Sequence, residues 1–204
     1  DGAGEVNLTL LTPAKMAEKE SASNLFWGLY FGLFLSMVIY NAFIFISTKS
    51  ISFFYYVIYC LGGALYMAFY QGFVAAYLFK DTPWILAIGN AWSMAIIGVS
   101  LNLFVFTYLD LKRDTSRLSL YYYFLISMHA LAFILAFEPT RYYSMIISNL
   151  FIPITFISSI VVAYRRKKEG YRPAKYYIIA FSILIFGATI WCLMTAGIFP
   201  TNDF

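Results

Sequence analysis

The sequence predicts an all-α membrane protein, a polytopic bundle of transmembrane helices, and three observations carry that prediction. Of its 204 residues, 62% are hydrophobic and only 12% charged, with a mean hydropathy of +0.74. A soluble domain averages about half apolar and about a quarter charged residues. Apolar runs of about twenty residues recur, each long enough at about 1.5 Å per residue to cross a hydrocarbon core of about 30 Å. The basic residues are bunched in short segments between those runs, with six of the fourteen (Arg165, Arg166, Lys167, Lys168, Arg172 and Lys175) in one loop.

Residues 1–24 are polar and are expected to be the end of an extramembrane domain plus a linker. Within them Val6–Leu11 partly alternates as a short strand does, Thr12-Pro13 stops it, and Ala14–Asn24 is rich in helix formers leading towards the membrane. The start has neither an initiator Met nor a basic region ahead of an apolar one, so it reads as a cut end of a longer protein and not as a signal peptide.

Residues 25–204 are expected to be the membrane unit, with six spans at about 25–47, 52–72, 84–107, 118–137, 141–164 and 174–197. This division strands no charge in hydrocarbon, where each costs roughly 3 kcal/mol or more. It also sorts the cations. Lys49, Lys112, Arg113, Arg117 and the six of the last loop make ten on one side, against Lys15, Lys19, Lys80 and Arg141 on the other. Short basic loops stay in the cytoplasm, so ten against four places the amino terminus outside. Tyr and Trp cluster at the same boundaries, as rings that settle at headgroup depth do.

Inside the spans, small residues recur four apart: Gly28, Gly32 and Ser36 in the first, and Cys60, Ala64, Ala68 and Gly72 in the second. Such stripes let helix backbones approach closely in lipid, so packing inside the bundle is expected, with a homodimer face as the sharper alternative. Pro153 falls near the middle of the fifth span and removes the hydrogen bond to the Asn149 carbonyl, which predicts a kink. The polar side chains at membrane depth are Asn41, Gln71, Asn90, Asn102, His129 and Asn149. These are the candidate ligand or switch residues, with His129 the one that changes charge near neutral pH.

Several function classes are disfavoured. The net charge of +4 comes from one-sided loops and not from a basic readout face, so nucleic acid is not an expected partner. Both cysteines, Cys60 and Cys192, fall inside apolar runs, and no metal-ligand spacing, cofactor motif or catalytic constellation is present. Away from their ends the spans hold no Asp, Glu, Lys or Arg of the kind that pumps and transporters use.

Several stretches together resemble the bacterial seven-transmembrane receptors with diverse intracellular signalling modules. They are Leu25-Phe26-Trp27-Gly28-Leu29-Tyr30-Phe31-Gly32, Tyr40-Asn41, Tyr70-Gln71-Gly72 and Asp81-Thr82-Pro83-Trp84, followed by Phe106-Thr107-Tyr108-Leu109-Asp110-Leu111 and Gly170-Tyr171-Arg172-Pro173-Ala174-Lys175-Tyr176-Tyr177. The resemblance implies a periplasmic sandwich domain ahead of the bundle, whose last strand falls at Val6–Leu11, and a cytoplasmic effector after it. Six spans are read where that family has seven, so a seventh helix and the effector are expected to be missing. The expected function is a non-enzymatic sensor in a bacterial inner membrane, which takes a periplasmic or in-membrane stimulus, such as a lipid-like small molecule, and passes it to the effector. The alternative is a small transporter or channel, with Asn41, Asn90, Asn102 and Asn149 lining a polar path.

Overall fold

The computed structural model describes residues 12–80, 82–113, 117–137 and 139–183. The strand expected at Val6–Leu11 and the part of the sixth span beyond residue 183 lie outside the described residues. The elements are α1 (Pro13–Thr48), α2 (Ile51–Tyr70), a π-helical turn (Val74–Leu78), α3 (Pro83–Tyr108), a 3-10 turn (Leu111–Arg113), α4 (Arg117–Ile134) and α5 (Arg141–Lys168). A last helix, α6, is described over 173–183. Five of these helices are long and apolar enough to cross a membrane.

The linker and the first span form one rod. Pro13 opens it at the first helical position, where its missing N–H is no loss, and 36 residues make a helix of about 54 Å. That is nearly twice the hydrocarbon thickness of about 30 Å. The chain breaks after α2 at Gly72, whose φ of +77° suits glycine alone among common residues. At the end of α4 the Thr140 hydroxyl donates to the carbonyls of Leu135 (3.0 Å) and Phe137 (2.9 Å), which closes the helix earlier than the apolar run suggests. The α5 helix instead runs past its apolar stretch to carry Arg165, Arg166, Lys167 and Lys168 as a last turn, where cations complement the carbonyl end of the helix dipole.

Successive helices run antiparallel. Phe45 meets Phe54, Tyr56 meets Phe104, Phe106 meets Tyr123 and Phe124 meets Phe151. The loops at Lys49, at Leu109–Arg113 and at Glu169–Arg172 therefore share one end of the bundle, here termed the basic end. The central element is α3, packed against α2, α4 and α5, while α1 leans chiefly on α2. Its inward residues Ala91, Ala95, Leu101, Asn102 and Val105 are fully buried. The apolar core thickens towards the basic end, where Phe104, Leu109, Leu111, Tyr122, Leu125, Val162, Ala174, Tyr177 and Phe181 form one cluster.

The glycines that make close helix contacts are not the ones the spacing selects. A methyl placed on Gly28 or Gly32 meets nothing within 4 Å, and Ser36 on the same face is exposed and bonds only back to the Gly32 carbonyl (2.9 Å). The contact expected inside the bundle for this stripe is absent among the described residues. In α2 the close approaches are at Gly62, whose added methyl would lie 3.2 Å from Ile96 and from Ile97, and at Gly63, whose added methyl would lie 3.1 Å from the Phe34 ring; Ala64 and Ala68 are half-buried beside them. At two further points the fit is tighter: the Phe69 ring lies directly on Gly89, and the His129 imidazole directly on Gly98.

Candidate functional site

Two polar assemblies sit along α3, one deep in the bundle and one at the basic end. The deep one joins three helices. Asn102 Nδ2 donates to the Gly98 carbonyl (2.8 Å) in its own helix and to Thr155 Oγ1 (3.1 Å) on α5, and both side chains are fully buried. Thr155 Oγ1 lies 3.4 Å from Asn102 Oδ1, so the pair closes on itself. One turn away His129 on α4 lies across Gly98, with its Nδ1 2.9 Å from the Leu125 carbonyl. A carbonyl only accepts, so Nδ1 carries the proton, and Nε2 is left as a buried acceptor with no partner among the described residues. Glycine at 98 is what lets the ring reach the α3 backbone.

Replacing Thr155 with Val keeps the shape and removes the hydroxyl. Interhelical side-chain bonds in membranes are worth about 0.6 kcal/mol on average and up to about 1.7. We expect Thr155→Val to lower the melting temperature in detergent by roughly 2–4 °C. Ser127→Ala, on an exposed hydroxyl bonded within its own helix at Phe124, is the matched control and is expected to do nothing. Equal melting of both variants with wild type would remove the deep pair as a structural tie.

The second assembly satisfies the carbonyl end of α3. A helix leaves its last four carbonyls without intrahelical donors. Asp110 turns the chain with φ +52°, a left-handed conformation that Asp tolerates better than most residues, and its N–H reaches the Thr107 carbonyl (3.3 Å). The Tyr108 carbonyl and the two carbonyls that follow it are met from the end of α5 and the α5–α6 connection. Arg166 Nε donates to the Leu109 carbonyl (2.9 Å), Arg166 Nη2 to the Asp110 carbonyl (3.0 Å) and Tyr171 Oη to the Tyr108 carbonyl (3.0 Å). Glu169 holds the guanidinium from the other side at 2.8 Å and also pairs with Arg165 at 3.1 Å. The Arg166 guanidinium lies over the Tyr171 ring at 5.4 Å. The hydrogen bond from Arg166, assisted by Arg165, holds the Glu169 carboxyl below the usual carboxylate range.

The connection is itself built for this. Gly170 has φ +85°, Tyr171 N–H reaches back to the Arg166 carbonyl (3.0 Å) and Gly170 N–H to the Lys167 carbonyl (3.1 Å), the paired bonds of a glycine-terminated helix. This turn aims Tyr171 at α3 and starts α6, which seats Ala174, Tyr177 and Phe181 against Phe104. Two stretches that carry the resemblance, at 106–111 and at 170–177, are thus bonded to each other.

Other sequence-selected residues do not converge. Gln71 and Asn149 are exposed, as is Pro153, which stays inside an unbroken α5 with its ring on the outer face. Asn41 bonds back to Met37 of its own helix at 2.8 Å. Asn90 is half-buried, with Oδ1 enclosed and unpartnered among the described residues. No group of three His, Cys, Asp or Glu gathers among the described residues. An apolar groove of about 440 Å³ opens between α2, α3 and α4, lined among others by Tyr55, Ile58, Ile96, Leu103, Ala130 and Phe133. Arg166 is the functional residue that sequence reasoning missed as a contact. Its signal was present in the α3 terminus, which ends at Leu109-Asp110 with no glycine and so needs donors from elsewhere.

The described residues form a bundle of apolar helices tied at depth by Asn102 and Thr155, and ten of the fourteen cations of the sequence fall in the loop segments of one end. Residues 23–204 match the model of the 7TM diverse intracellular signalling family, and the chain belongs to that family. No match is found among curated proteins or among solved structures.

Proposed function

We propose that this chain is the membrane sensor portion of a bacterial inner-membrane receptor, with its amino terminus in the periplasm and its basic end in the cytoplasm. It relays a periplasmic or in-membrane stimulus to a cytoplasmic effector of the full-length protein and performs no chemistry itself. The observation that supports this best is the double tie along α3: Asn102 to Thr155 in the bundle interior, and Arg166 with Tyr171 at the basic end. A displacement of α3 or α5 at depth is thereby carried to the loop from which α6 leaves. The long rod of α1 supplies the periplasmic input, and the groove between α2, α3 and α4 supplies an entry for a lipid-like molecule one helix turn from Gly98. Relay requires two packings with unequal ligand affinity, since a ligand that binds both equally shifts nothing.

The transporter reading needs a polar path, and the residues expected to line it are spread over exposed and buried positions in the described residues. Spin labels decide between the two. In a chain with Cys60 and Cys192 replaced by Ala, labels at Lys112→Cys and Lys175→Cys in liposomes are expected to report two distances, with weights that change in Thr155→Val. A single narrow distance, unmoved by that variant, would sink the relay. For orientation, a cysteine at Tyr142 is expected to react with an impermeant thiol reagent on spheroplasts, and one at Lys112 to be protected; the reverse pattern inverts the topology.

A further inference from the structure

The α5–α6 connection that caps α3 has a second face. There it forms an open pocket of about 340 Å³ lined by Lys167, Gly170, Tyr171, Arg172, Lys175 and Tyr176. The turn at Gly170 folds the chain back so that Lys167, from the last turn of α5, faces Arg172 and Lys175 at the start of α6. The other cations of the connection are engaged. Arg165 and Arg166 pair with Glu169, and Lys168 lies over the Tyr164 ring at 4.9 Å. Lys167, Arg172 and Lys175 have no carboxylate partner among the described residues. Three like charges around one small cavity repel each other, and the arrangement is stabilised by an anion between them.

We propose that this pocket binds the phosphate of an anionic phospholipid headgroup at the cytoplasmic leaflet. The choice of a lipid over a soluble anion rests on position. Tyr176 and Tyr164 are largely exposed near the start of α6 and the end of α5, the depth at which such rings meet headgroups, and Tyr176 lines the pocket. Tyr171 also lines it, with its hydroxyl already committed to the Tyr108 carbonyl. A bound headgroup therefore ties the ends of α5 and α6 together on the outside of the connection that holds α3 on the inside. This makes the cytoplasmic output loop sensitive to lipid composition, and it deepens the receptor reading by naming a regulator of its basic end.

Native mass spectrometry of the purified chain, released from detergent with either phosphatidylglycerol or phosphatidylcholine added, tests this directly. The wild-type chain is expected to retain one phosphatidylglycerol about tenfold over phosphatidylcholine. Arg172→Gln and Lys175→Gln are each expected to lower that retention about fivefold, in line with roughly 1 kcal/mol per basic residue at an anionic surface. Lys175→Arg is expected to restore it. Lys49→Gln and Lys112→Gln, basic-end cations outside the pocket, are expected to leave it unchanged. Equal losses at Lys49 and Lys175 would mean diffuse attraction and overturn the site, as would no preference between the lipids. Displacement of the lipid by millimolar inorganic phosphate would assign the pocket to a free anion and overturn the lipid. Retention is read without any signalling output, so its failure leaves the relay to be judged by the spin labels alone.

Discussion

Gly98→Ala is expected to destabilise the bundle by about 2 kcal/mol, seen as a fall of roughly 5 °C in melting temperature in detergent. Alanine normally favours a helix over glycine by up to about 1 kcal/mol, so the sign of the change is informative. At Gly98 the added methyl would overlap the His129 imidazole, and the ring has no room to retreat because it is fully buried and bonded to the Leu125 carbonyl at 2.9 Å. Overpacking of an ordered interior costs about 1–3 kcal/mol, and full overlap with a ring falls at the upper end, which leaves about 2 after the propensity gain. Two comparisons isolate the cause. In a His129→Ala background Gly98→Ala should cost nothing or stabilise, because the overlapping ring is gone. Gly32→Leu, on the exposed face of α1, should leave the melting temperature level or raise it. If Gly98→Ala is as costly without His129 as with it, the ring contact is not the reason for the glycine.

The contrast between Gly98 and Gly32 shows where the sequence was legible. The all-α membrane class was, because hydropathy and helix length act along the chain. The helix α5 opens at Arg141, and Ala14–Asn24 is helical within α1. Helix faces were not. In lipid both faces of a span are apolar, so a glycine under a ring and a glycine facing outward have the same neighbours in sequence. For the same reason Asn102 and His129, which are buried, were indistinguishable from Gln71 and Asn149, which are exposed. The role of Arg166 was hidden differently. Its place among six cations is fully explained by membrane orientation, and the bonds to Leu109 and Asp110, 57 and 56 residues away, give it a further task.

Arg166→Ala is expected to loosen the basic end while leaving the deep pair in place. The change removes two charge-assisted bonds to the carbonyls of Leu109 and Asp110 and the pair with Glu169. Hydrogen bonds to charged groups are worth about 1.5–3 kcal/mol each; water replaces part of this at a helix end, so a loss of about 2–3 kcal/mol is expected. Lysine should recover little of it, since its point charge cannot span two carbonyls and a carboxylate as the planar guanidinium does. The pH dependence has a definite sign. The Glu169 carboxyl is held below its ordinary range, so its contribution is present at neutral pH and above, and is lost as pH falls through that lowered value. The carbonyl bonds of Arg166 do not titrate, so wild type should weaken only partly in acid, whereas Arg166→Ala should show a smaller step, the part that Glu169 keeps through Arg165. Amide hydrogen exchange reads the effect locally, with protection falling over Leu109–Arg113 and at Tyr171, while the amides around Asn102 and Thr155 keep theirs. Uniform loss of protection through α3 would mean that Arg166 supports the whole bundle, and unchanged exchange at both ends would show that the loop and α3 are not coupled.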